Sequence, residues 1–572
     1  MIRPGVRQPG IQGRILPWWA VLAAAFAAVL AAHAGLLRLP YYWDEAGYYI
    51  PAAWDFFRTG SLIPTTTLSN AHPPLPSVVL ACAWKVFGFA PVVTRTTMCL
   101  VSALALTAVW RLAVTSTGKQ SVALATVVVT ALYPVWFAQS TLAHADLFAA
   151  AGTLWALAFW LEERVWWAAA CFALAALAKE TAVVTPLALI SVQFSAFSVQ
   201  PGGPQGDQRS ASGVKENGAS IWVRLAALVA PVVPLAGWYA YHWRKTGFVF
   251  GNPEYVRYNA TATLTPLRVL LALAHRTMHV TLHMNLFVPV LATAACMLLS
   301  PVEEVAESGD GTNSSQLRAR IPWRVQAVFY VVIVANVVFF SILGGALLTR
   351  YLLPLYPLVL LLCVNTFRRR LKEWTGLVAL TAAAFVAGLF VNPPYRFAPE
   401  DNLEYATVIR LHQAAVDEIV TRMPGATVLT AWPATDELKK PELGYVTDPV
   451  RVLEIANFSA AEVAGAREMQ GSYSAALVFS TKYDPPRLLF NLGRRNEEFD
   501  TKYFDFHRDL PPGLVARLLG GQVVWGEERK GQWVAVLRMS SGGQTTAMSV
   551  QRSVLSVQPE RARSSATPLD SR

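Results

Sequence analysis

Long apolar runs, repeated between Ile15 and Val391, restrict how this chain can fold more than any other feature of its sequence. A helix that spans a bilayer needs about 20 predominantly apolar residues. The sequence offers about eleven runs near that length, several of them shorter. They are Ile15–Leu37, Val93–Val114, Ser121–Phe137, Thr141–Leu161, Val165–Leu177, Thr181–Phe197, Ile221–Tyr241, Met284–Leu299, Val325–Leu348, Tyr351–Val364 and Trp374–Val391. These runs predict a mostly α-helical, polytopic membrane protein whose first run is kept as a helix.

The composition supports this prediction and excludes other classes. Only 15% of the residues are Asp, Glu, Lys or Arg, whereas soluble domains carry about 25%. A disordered chain, a collagen-like fibre and a coiled coil are excluded by the apolar content of 54%. The formal net charge of +11 is typical of Lys and Arg in cytoplasmic loops, so we expect no nucleic-acid partner.

Basic residues in short loops predict the orientation, because Lys and Arg concentrate on the cytoplasmic side. Arg3, Arg7 and Arg14 place the N-terminus in the cytoplasm, and an odd number of spans then places everything after Val391 outside. One segment does not fit. The stretch Arg244–Arg276 is basic yet lies outside, so either the topology differs there or these charges face an anionic ligand.

Beyond Asn392 the composition becomes that of a soluble domain, and an α/β domain is predicted over residues 392–539. Its first helix, Tyr405–Arg422, has one apolar face made by Val408, Ile409, Leu411, Ala415, Ile419 and Val420. Strands are predicted at Ala426–Ala431, Ala475–Ser480, Gln522–Trp525 and Trp533–Arg538. Polar composition predicts flexible loops at Gln200–Ser220 and Glu303–Arg320, and a disordered tail over residues 540–572.

The most informative polar stretch is Tyr41–Tyr49 in the loop after the first run, where Asp44 and Glu45 stand among aromatic residues. Tyr and Trp favour the membrane interface, but carboxylates there need a partner or a function. One of them could act as a general base, and helix capping or a surface salt bridge is the alternative. Adjacent side chains point in different directions, so only one of the two carboxylates can face a given substrate.

Two histidine-containing stretches lie on the same predicted face. His72 precedes two prolines that hold the backbone extended, so it either binds phosphate or metal, shuttles protons, or simply forms a helix-start turn. His144 and Asp146 begin a later run, where Asp146 either takes part in the chemistry or caps the helix. Asp44, His72, His144 and Asp146 could together hold a metal ion, although no fixed spacing supports one.

Two charged stretches complete the candidates. Lys179 and Glu180 interrupt two apolar runs, and either neutralise each other or serve a function. Arg350, followed by Tyr351, stands between two spans, where its guanidinium suits a phosphate clamp unless the side chain merely extends to the interface.

In this order, the five stretches resemble the GT-C superfamily of integral-membrane glycosyltransferases. The similarity is greatest to the bacterial protein-mannosyltransferase and aminoarabinose-transferase type, including the RgtA/B/C/D-like group. Asp44-Glu45 matches the acidic motif of the first outside loop, and His72–Leu75 matches the Lys/His-Pro-Pro-Leu element. Asp146 stands where the family has its second acidic residue, and Lys179-Glu180 and Arg350-Tyr351 match later elements. The resemblance covers Ile15–Val391 and implies a GT-C fold, here with a catalytic outer loop at residues 38–92.

The resemblance also implies a reaction. Such enzymes move a sugar from a polyprenyl-phosphate carrier to an acceptor hydroxyl with inversion, at the outer face of the bacterial cytoplasmic membrane. The acceptor is a protein, a lipid or a glycan. The roles it implies are catalysis for Asp44, Glu45 and Asp146, donor-phosphate binding for His72, Lys179, Arg257, Arg350 and Tyr351, and substrate contact for Tyr48, Tyr49, His144 and Glu180. Metal dependence differs within the superfamily, so a divalent ion stays open and no cofactor is assigned.

Three other functions compete with this one. An oligosaccharide ligase or polymerase of the same superfamily would use the same elements. A transporter would show paired halves and charged residues at the membrane midplane, whereas the polar residues here gather at one face. A membrane scaffold would need none of these elements.

Overall fold

The computed structural model describes residues 16–198, 220–251, 253, 256–257, 264–307, 313–343, 345–483, 485, 494–504 and 508–540. The loop predicted at Gln200–Ser220 and the tail predicted over 540–572 lie outside the described residues, apart from Ser220 and Ser540.

The described chain is mostly helical, as predicted. Its helices are α1 Trp18–Ala32, α2 Ile50–Thr59, α3 Leu75–Phe87, α4 Pro91–Thr117, α5 Gln120–Leu132, α6 Pro134–Gln139, α7 Ala145–Leu161, α8 Val165–Ala178, α9 Val184–Ser198, α10 Ile221–Val229, α11 Val232–Thr246, α12 Pro266–Thr281, α13 Phe287–Met297, α14 Trp323–Ile342, α15 Tyr356–Arg370, α16 Trp374–Phe390, α17 Glu404–Arg422, α18 Ala434–Lys439, α19 Ala460–Ala466, α20 Arg494–Phe504 and α21 Pro512–Leu519. A short π-helix lies at Glu45–Tyr49, and short 3₁₀ helices include Glu180–Val183, Thr349–Leu355 and Pro399–Asp401.

Each of the eleven predicted apolar runs overlaps at least one of these helices. By length and composition, four helices of the described chain could cross a membrane: Pro91–Thr117, Ile221–Thr246, Trp323–Ile342 and Thr349–Arg370. Pro266–Asn285 and Phe287–Met297 together make a fifth candidate, bent by 98°. Seven other apolar helices have 10–17 residues. The protein is therefore a multi-pass membrane protein, and the predicted count of about eleven spans stays a prediction.

Several predicted runs have different boundaries in the structure. Ser121–Phe137 divides into two helices, because α5 ends at Leu132 and Pro134 starts α6 at a position where its missing N–H costs nothing. Thr141–Leu161 becomes helical only at Ala145. This second difference leaves His144 just before the helix and puts Asp146 in its first turn.

A five-stranded sheet follows the apolar helices. Its strands, in the order β4-β3-β5-β7-β6, are β3 Thr427–Ala431, β4 Arg451–Ile455, β5 Ala475–Phe479, β6 Gly521–Arg529 and β7 Gln532–Met539. The predictions missed β4. Strand β3 pairs in parallel with both β4 and β5, whereas β7 lies antiparallel to β5 and β6. We call Glu404–Met539 the C-terminal α/β unit.

Helix α17 packs on this sheet through the predicted apolar face, with one exception. Val408, Ile409, Leu411, Ala415 and Ile419 are buried, as the helical period predicts. Val420 is exposed, because it lies at the edge of that face. The segment Glu303–Arg320 is also corrected, since Glu303–Glu307 (β1) and Asn313–Leu317 (β2) form an antiparallel hairpin instead of a loop.

The C-terminal α/β unit packs against the acidic loop, which we define as residues 38–92. The backbone N–H of Tyr41 donates to the Leu443 carbonyl at 3.3 Å, and the Tyr445 hydroxyl donates to the Tyr41 carbonyl at 3.0 Å. The indole of Trp432 lies edge-on to Trp43, with 5.2 Å between the ring centroids. Gly47 packs against this indole, so the C-terminal α/β unit and the acidic loop are in close contact here.

A Gly47→Ala substitution tests this contact. A Cβ at Gly47 would lie 2.6 Å from Trp432 Nε1, so the indole must move away. Overpacking of this kind costs about 1–3 kcal/mol, and we expect a lower thermal unfolding midpoint for the purified protein in detergent. Gly35→Ala is the control, because among the described residues no atom lies within 4 Å of that Cβ position. Equal midpoints for the two variants would contradict the close packing.

Candidate active site

Three carboxylates from distant parts of the chain surround the guanidinium of Arg350. Arg350 is 2% exposed and lies in the turn Thr349–Leu355 that precedes α15. Its Nη2 contacts Asp44 Oδ2, its Nη1 lies 2.6 Å from Glu400 Oε2, and its Nε lies 3.3 Å from Asp146 Oδ2. Each guanidinium nitrogen thus faces a different carboxylate. A buried cation requires such partners, because an unpaired charge in this environment is strongly destabilising.

Lys179 extends the cluster on the far side of Asp146. Its Nζ donates to Asp146 Oδ1 at 2.6 Å and lies 3.8 Å from the centroid of the Tyr351 ring. The chain turns at Lys179 because α8 ends at Ala178 and the residue adopts an extended conformation. Asp146 gains further stabilisation from the N-terminus of α7, where the helix dipole favours negative charge.

Glu180 faces a different partner from its neighbour Lys179. Its Oε2 lies 2.9 Å from Nδ1 of His72. The ring of Tyr49 stacks on His72 at 6.0 Å and lies 5.7 Å from the ring of His144. Lys179 and Glu180 therefore do not simply neutralise each other, which was one of the two alternatives for this pair.

The side chain of Glu45 has a different partner from that of Asp44, because it pairs with Arg95 and not with Arg350. Its side chain and that of Arg95 are both 0% exposed, and their Oε2 and Nη2 atoms lie 3.1 Å apart. Glu45 also accepts hydrogen bonds from the backbone N–H of Ala143 at 2.6 Å and of Tyr42 at 2.9 Å. Arg95 in turn donates to the carbonyls of Pro40 and Thr141. Glu45 thus holds the acidic loop to α4 and to the chain before α7, and unlike Asp44 it is not among the residues that line the cavity described below.

The cluster forms one pole of a cavity of about 1420 Å³. Its polar wall carries eight of the predicted residues: Asp44, Tyr48, Tyr49, His72, Lys179, Glu180, Arg350 and Tyr351. His144 and Asp146 are buried behind this wall. Much of the remaining wall is apolar and includes Leu235, Leu271, Met278, Leu282, Phe339 and Leu343. The volume exceeds the 300–1,000 Å³ of ordinary small-molecule pockets.

Arg257 lies apart from this cluster. It is exposed and lines a separate small cleft with Phe248 and Pro253. The structure therefore does not bring Arg257 to the other residues for which the sequence predicts phosphate binding. Phe250 and Val256 line both the cleft and the cavity, and phosphate binding by Arg257 stays a prediction.

Arg276, at the end of the same basic stretch, has a structural role. Its guanidinium donates to the carbonyls of Leu348 at 2.5 Å and of Ala346 and Phe340 at 3.4 Å each. Arg268 donates to the carbonyl of Gly345 at 3.1 Å. The last carbonyls of a helix carry partial negative charge, so these arginines stabilise the end of α14 and the loop that leads to Arg350.

Sequence reasoning missed Glu400, Asp401 and His283. Asp401 accepts from the Thr349 hydroxyl through Oδ1, and its Oδ2 lies 3.0 Å from His283 Nε2. The signal was present, since Pro-Glu-Asp at Pro399–Asp401 follows the last apolar run closely. Glu400 and Asp401 fall within the soluble domain that the sequence predicts over residues 392–539. Burial, with the nearby carboxylates, raises the pKa of Glu400 to about 8 although Arg350 acts in the opposite sense.

The residues present do not fit a metal centre. In the part of the chain that the structure describes, no three His, Cys, Asp or Glu side chains come together as metal ligands. Asp44 and Asp146 instead share Arg350, and His72 faces Glu180.

Comparisons with known proteins find a matching family and similar solved structures. Residues 71–200 match the family described as dolichyl-phosphate-mannose-protein mannosyltransferase. ArnT from Cupriavidus metallidurans bound to undecaprenyl phosphate has a similar structure, with 14% identity, a TM-score of 0.53, and coverage of 91% of this chain and 98% of that one. Its apo state gives 14% identity, a TM-score of 0.49, and 91% and 97% coverage. The search of curated proteins finds no match.

These findings show that the chain has a GT-C fold similar to that of ArnT. Residues 71–200, less than half of the chain, are also similar to the protein mannosyltransferase family. The predicted fold class and the predicted resemblance are confirmed.

A Glu45→Gln substitution tests the structural role of that residue. It leaves Arg95 buried without a counter-charge, and breaking a buried ion pair costs about 3–5 kcal/mol. We expect a loss of that size in the free energy of unfolding, measured by chemical denaturation in detergent. Glu304→Gln is the control, because Glu304 pairs with Arg368 at 2.9 Å but is 46% exposed, and such pairs contribute about 0–1 kcal/mol. A similar small loss for both variants would refute the assignment.

Proposed function

We propose that this protein transfers a sugar from a polyprenyl-phosphate-sugar donor to an acceptor hydroxyl, with inversion, at the outer face of a bacterial cytoplasmic membrane. The acceptor is a protein, a lipid or a glycan, and the sugar is a hexose or a pentose. The active site and the C-terminal α/β unit then face the periplasm. The similarity of the fold to ArnT, whose structure holds undecaprenyl phosphate, supports a lipid-phosphate donor.

The observation that carries the proposal is the division of one cavity into an apolar wall and a charged pole. A polyprenyl chain needs apolar surroundings, and a phosphodiester needs cations near its oxygens. Leu271, Met278 and Phe339 on the cavity wall provide apolar surroundings for the polyprenyl chain. Arg350 and Lys179 provide the cations for the phosphodiester.

In the proposed reaction Asp44 is the general base. The acceptor oxygen attacks the anomeric carbon while its proton passes to Asp44. The bond between the anomeric carbon and the phosphate oxygen breaks, and its electron pair leaves with the polyprenyl phosphate. Asp44 is half-buried on the cavity wall, within reach of an incoming hydroxyl.

The cations compensate the charge that grows on the leaving phosphate, which is usually the largest contribution in such sites. Arg350 contacts Asp44 in the free enzyme. A donor phosphate that takes over Arg350 therefore also frees Asp44 to accept a proton. His72 and Tyr351 border the same pole and are proposed to contact the phosphate.

The C-terminal α/β unit is proposed to recognise the acceptor. Trp432, Thr481 and Tyr483 of this unit line the cavity. An acceptor that approaches from this side would meet them before it reaches Asp44.

An Asp44→Asn substitution tests the proposed base. General base catalysis contributes about 10²–10⁴-fold, so we expect a loss of that size in the rate of sugar transfer from a synthetic polyprenyl-phosphate sugar. Donor binding should persist. Asp448→Asn is the control, because Asp448 is exposed on the C-terminal α/β unit.

Two results would overturn the proposal. Equal transfer rates for the parent and Asp44→Asn would remove Asp44 as the base. Solute movement across vesicles by a protein that never consumes the donor would favour a transporter, and transfer of whole oligosaccharides would favour a ligase.

An Arg350→Lys substitution tests the guanidinium. Lys keeps the charge but cannot face three carboxylates and a phosphate at once. Hydrogen bonds to charged groups contribute about 1.5–3 kcal/mol, so we expect kcat/KM for the donor to fall about 10- to 100-fold.

The matched control is Arg111→Lys. Arg111 makes a two-pronged pair with Glu162, with Nε and Nη2 at 2.6 and 2.5 Å from the two carboxylate oxygens. A fall of the same size in both variants would indicate a general loss of stability and not a role at the cavity.

A further inference from the structure

Glu400 reaches the cavity from the segment that joins α16 to α17. It is buried in the turn Pro399–Asp401, and its Oε2 accepts from Arg350 Nη1 at 2.6 Å. Its other oxygen, Oε1, is also buried and has no hydrogen-bond partner among the described residues. Glu400 lines the cavity beside Asp44. The carboxyl group thus has one oxygen on Arg350 and one that no described group satisfies.

The backbone around Glu400 is held independently of Arg350. Gln139 Nε2 donates to the Glu400 carbonyl at 3.3 Å. Next to Glu400, Asp401 contacts both the Thr349 hydroxyl and His283. Thr349 directly precedes Arg350. The turn Pro399–Asp401 therefore contacts the backbone next to Arg350 through Asp401 and the guanidinium through Glu400. Glu400 is therefore held by contacts besides its pair with Arg350, which lets it fix where that guanidinium lies.

The charges of the cluster depend on the proton of Glu400. The carboxylates of Asp44, Asp146 and Glu400 face Arg350, and Lys179 adds a second cation. With all five groups ionised, the cluster carries one excess negative charge. With a proton on Glu400, it is neutral. The titratable and charged groups that face Glu400 are Arg350, Asp44, Asp146, Asp401, Tyr42 and His144.

We propose that Glu400 is a positioning residue of the transfer site, which directs Arg350 toward the donor phosphate and carries the proton that keeps the cluster neutral when this anion binds. The inference rests on the proposed function and deepens it. A neutral cluster admits a phosphodiester without repulsion. An ionised Glu400 would instead compete with the phosphate for Arg350 and add a negative charge beside it.

The direction of the pH effect follows from the raised pKa of Glu400, about 8. Below that pH the carboxyl group is protonated and the donor binds well. Above it, Glu400 ionises and the affinity for the donor falls. The added charge should weaken binding by a factor of about 3 to 30, depending on the local dielectric.

The test compares the parent with Glu400→Gln and Glu400→Ala over a pH range that brackets the pKa of Glu400. Two quantities are measured: the KM of the polyprenyl-phosphate sugar, and the Kd of a short-chain polyprenyl phosphate in detergent. Gln imitates the protonated acid and keeps an acceptor for Arg350. We expect the parent's KM and Kd to rise by a factor of about 3 to 30 when the pH exceeds the pKa of Glu400. Glu400→Gln should lack this rise and should be less impaired at neutral pH than Glu400→Ala.

Glu400→Ala should behave differently, because it removes the partner of Arg350 and lowers kcat/KM at every pH. Titration of the probe's own phosphate affects all variants equally, so the difference between parent and Glu400→Gln isolates residue 400. Glu437→Gln controls for the loss of a buried carboxyl group, since Glu437 is buried 2.7 Å from His412 Nδ1.

Identical pH profiles for the parent and Glu400→Gln would overturn the inference, and so would a Glu400→Gln variant as impaired at neutral pH as Glu400→Ala. A parent that binds the polyprenyl phosphate with the expected pH profile but transfers no sugar would overturn the proposed function alone. A parent that neither binds nor transfers would overturn both.

Discussion

The structure depends on one buried cation. Arg350 faces Asp44 from the acidic loop, Asp146 from the start of α7 and Glu400 from the segment after α16. A guanidinium shielded from water is stable only while such partners surround it. The three segments that carry them must therefore meet at one point, and this meeting forms the charged pole of the cavity.

Arg350 is itself held in place by residues that have no part in the proposed chemistry. Arg276 donates to the carbonyls before Arg350, and Asp401 contacts the neighbouring Thr349. Glu45 and Arg95 do the same for the loop that carries Asp44. Each reactive group thus has a buried polar support, which is how a site keeps its geometry without a ligand.

The site is shared between the apolar helices and the C-terminal α/β unit. The family match ends at residue 200. Glu400, which lies just before the unit, belongs to the charged pole, and Trp432 and Tyr483 of the unit line the cavity. The unit is therefore part of the site's wall. The sequence motifs therefore include Asp44, Asp146 and Arg350 but omit Glu400 and Asp401, which lie after the last apolar helix.

The sequence by itself determined the helical membrane fold, the face of α17 and the polar stretches that could carry chemistry, because hydropathy and side-chain period are local properties. It also determined that Asp44 and Glu45 point apart. Only the tertiary structure decided which of them faces the cavity, that Arg276 holds backbone carbonyls, and that Glu400 joins Arg350. These outcomes rest on ion pairs between residues 50 or more positions apart, such as Glu45 with Arg95 and Arg350 with Glu400. No local pattern records such pairs, so the charges could be listed from the sequence but not matched.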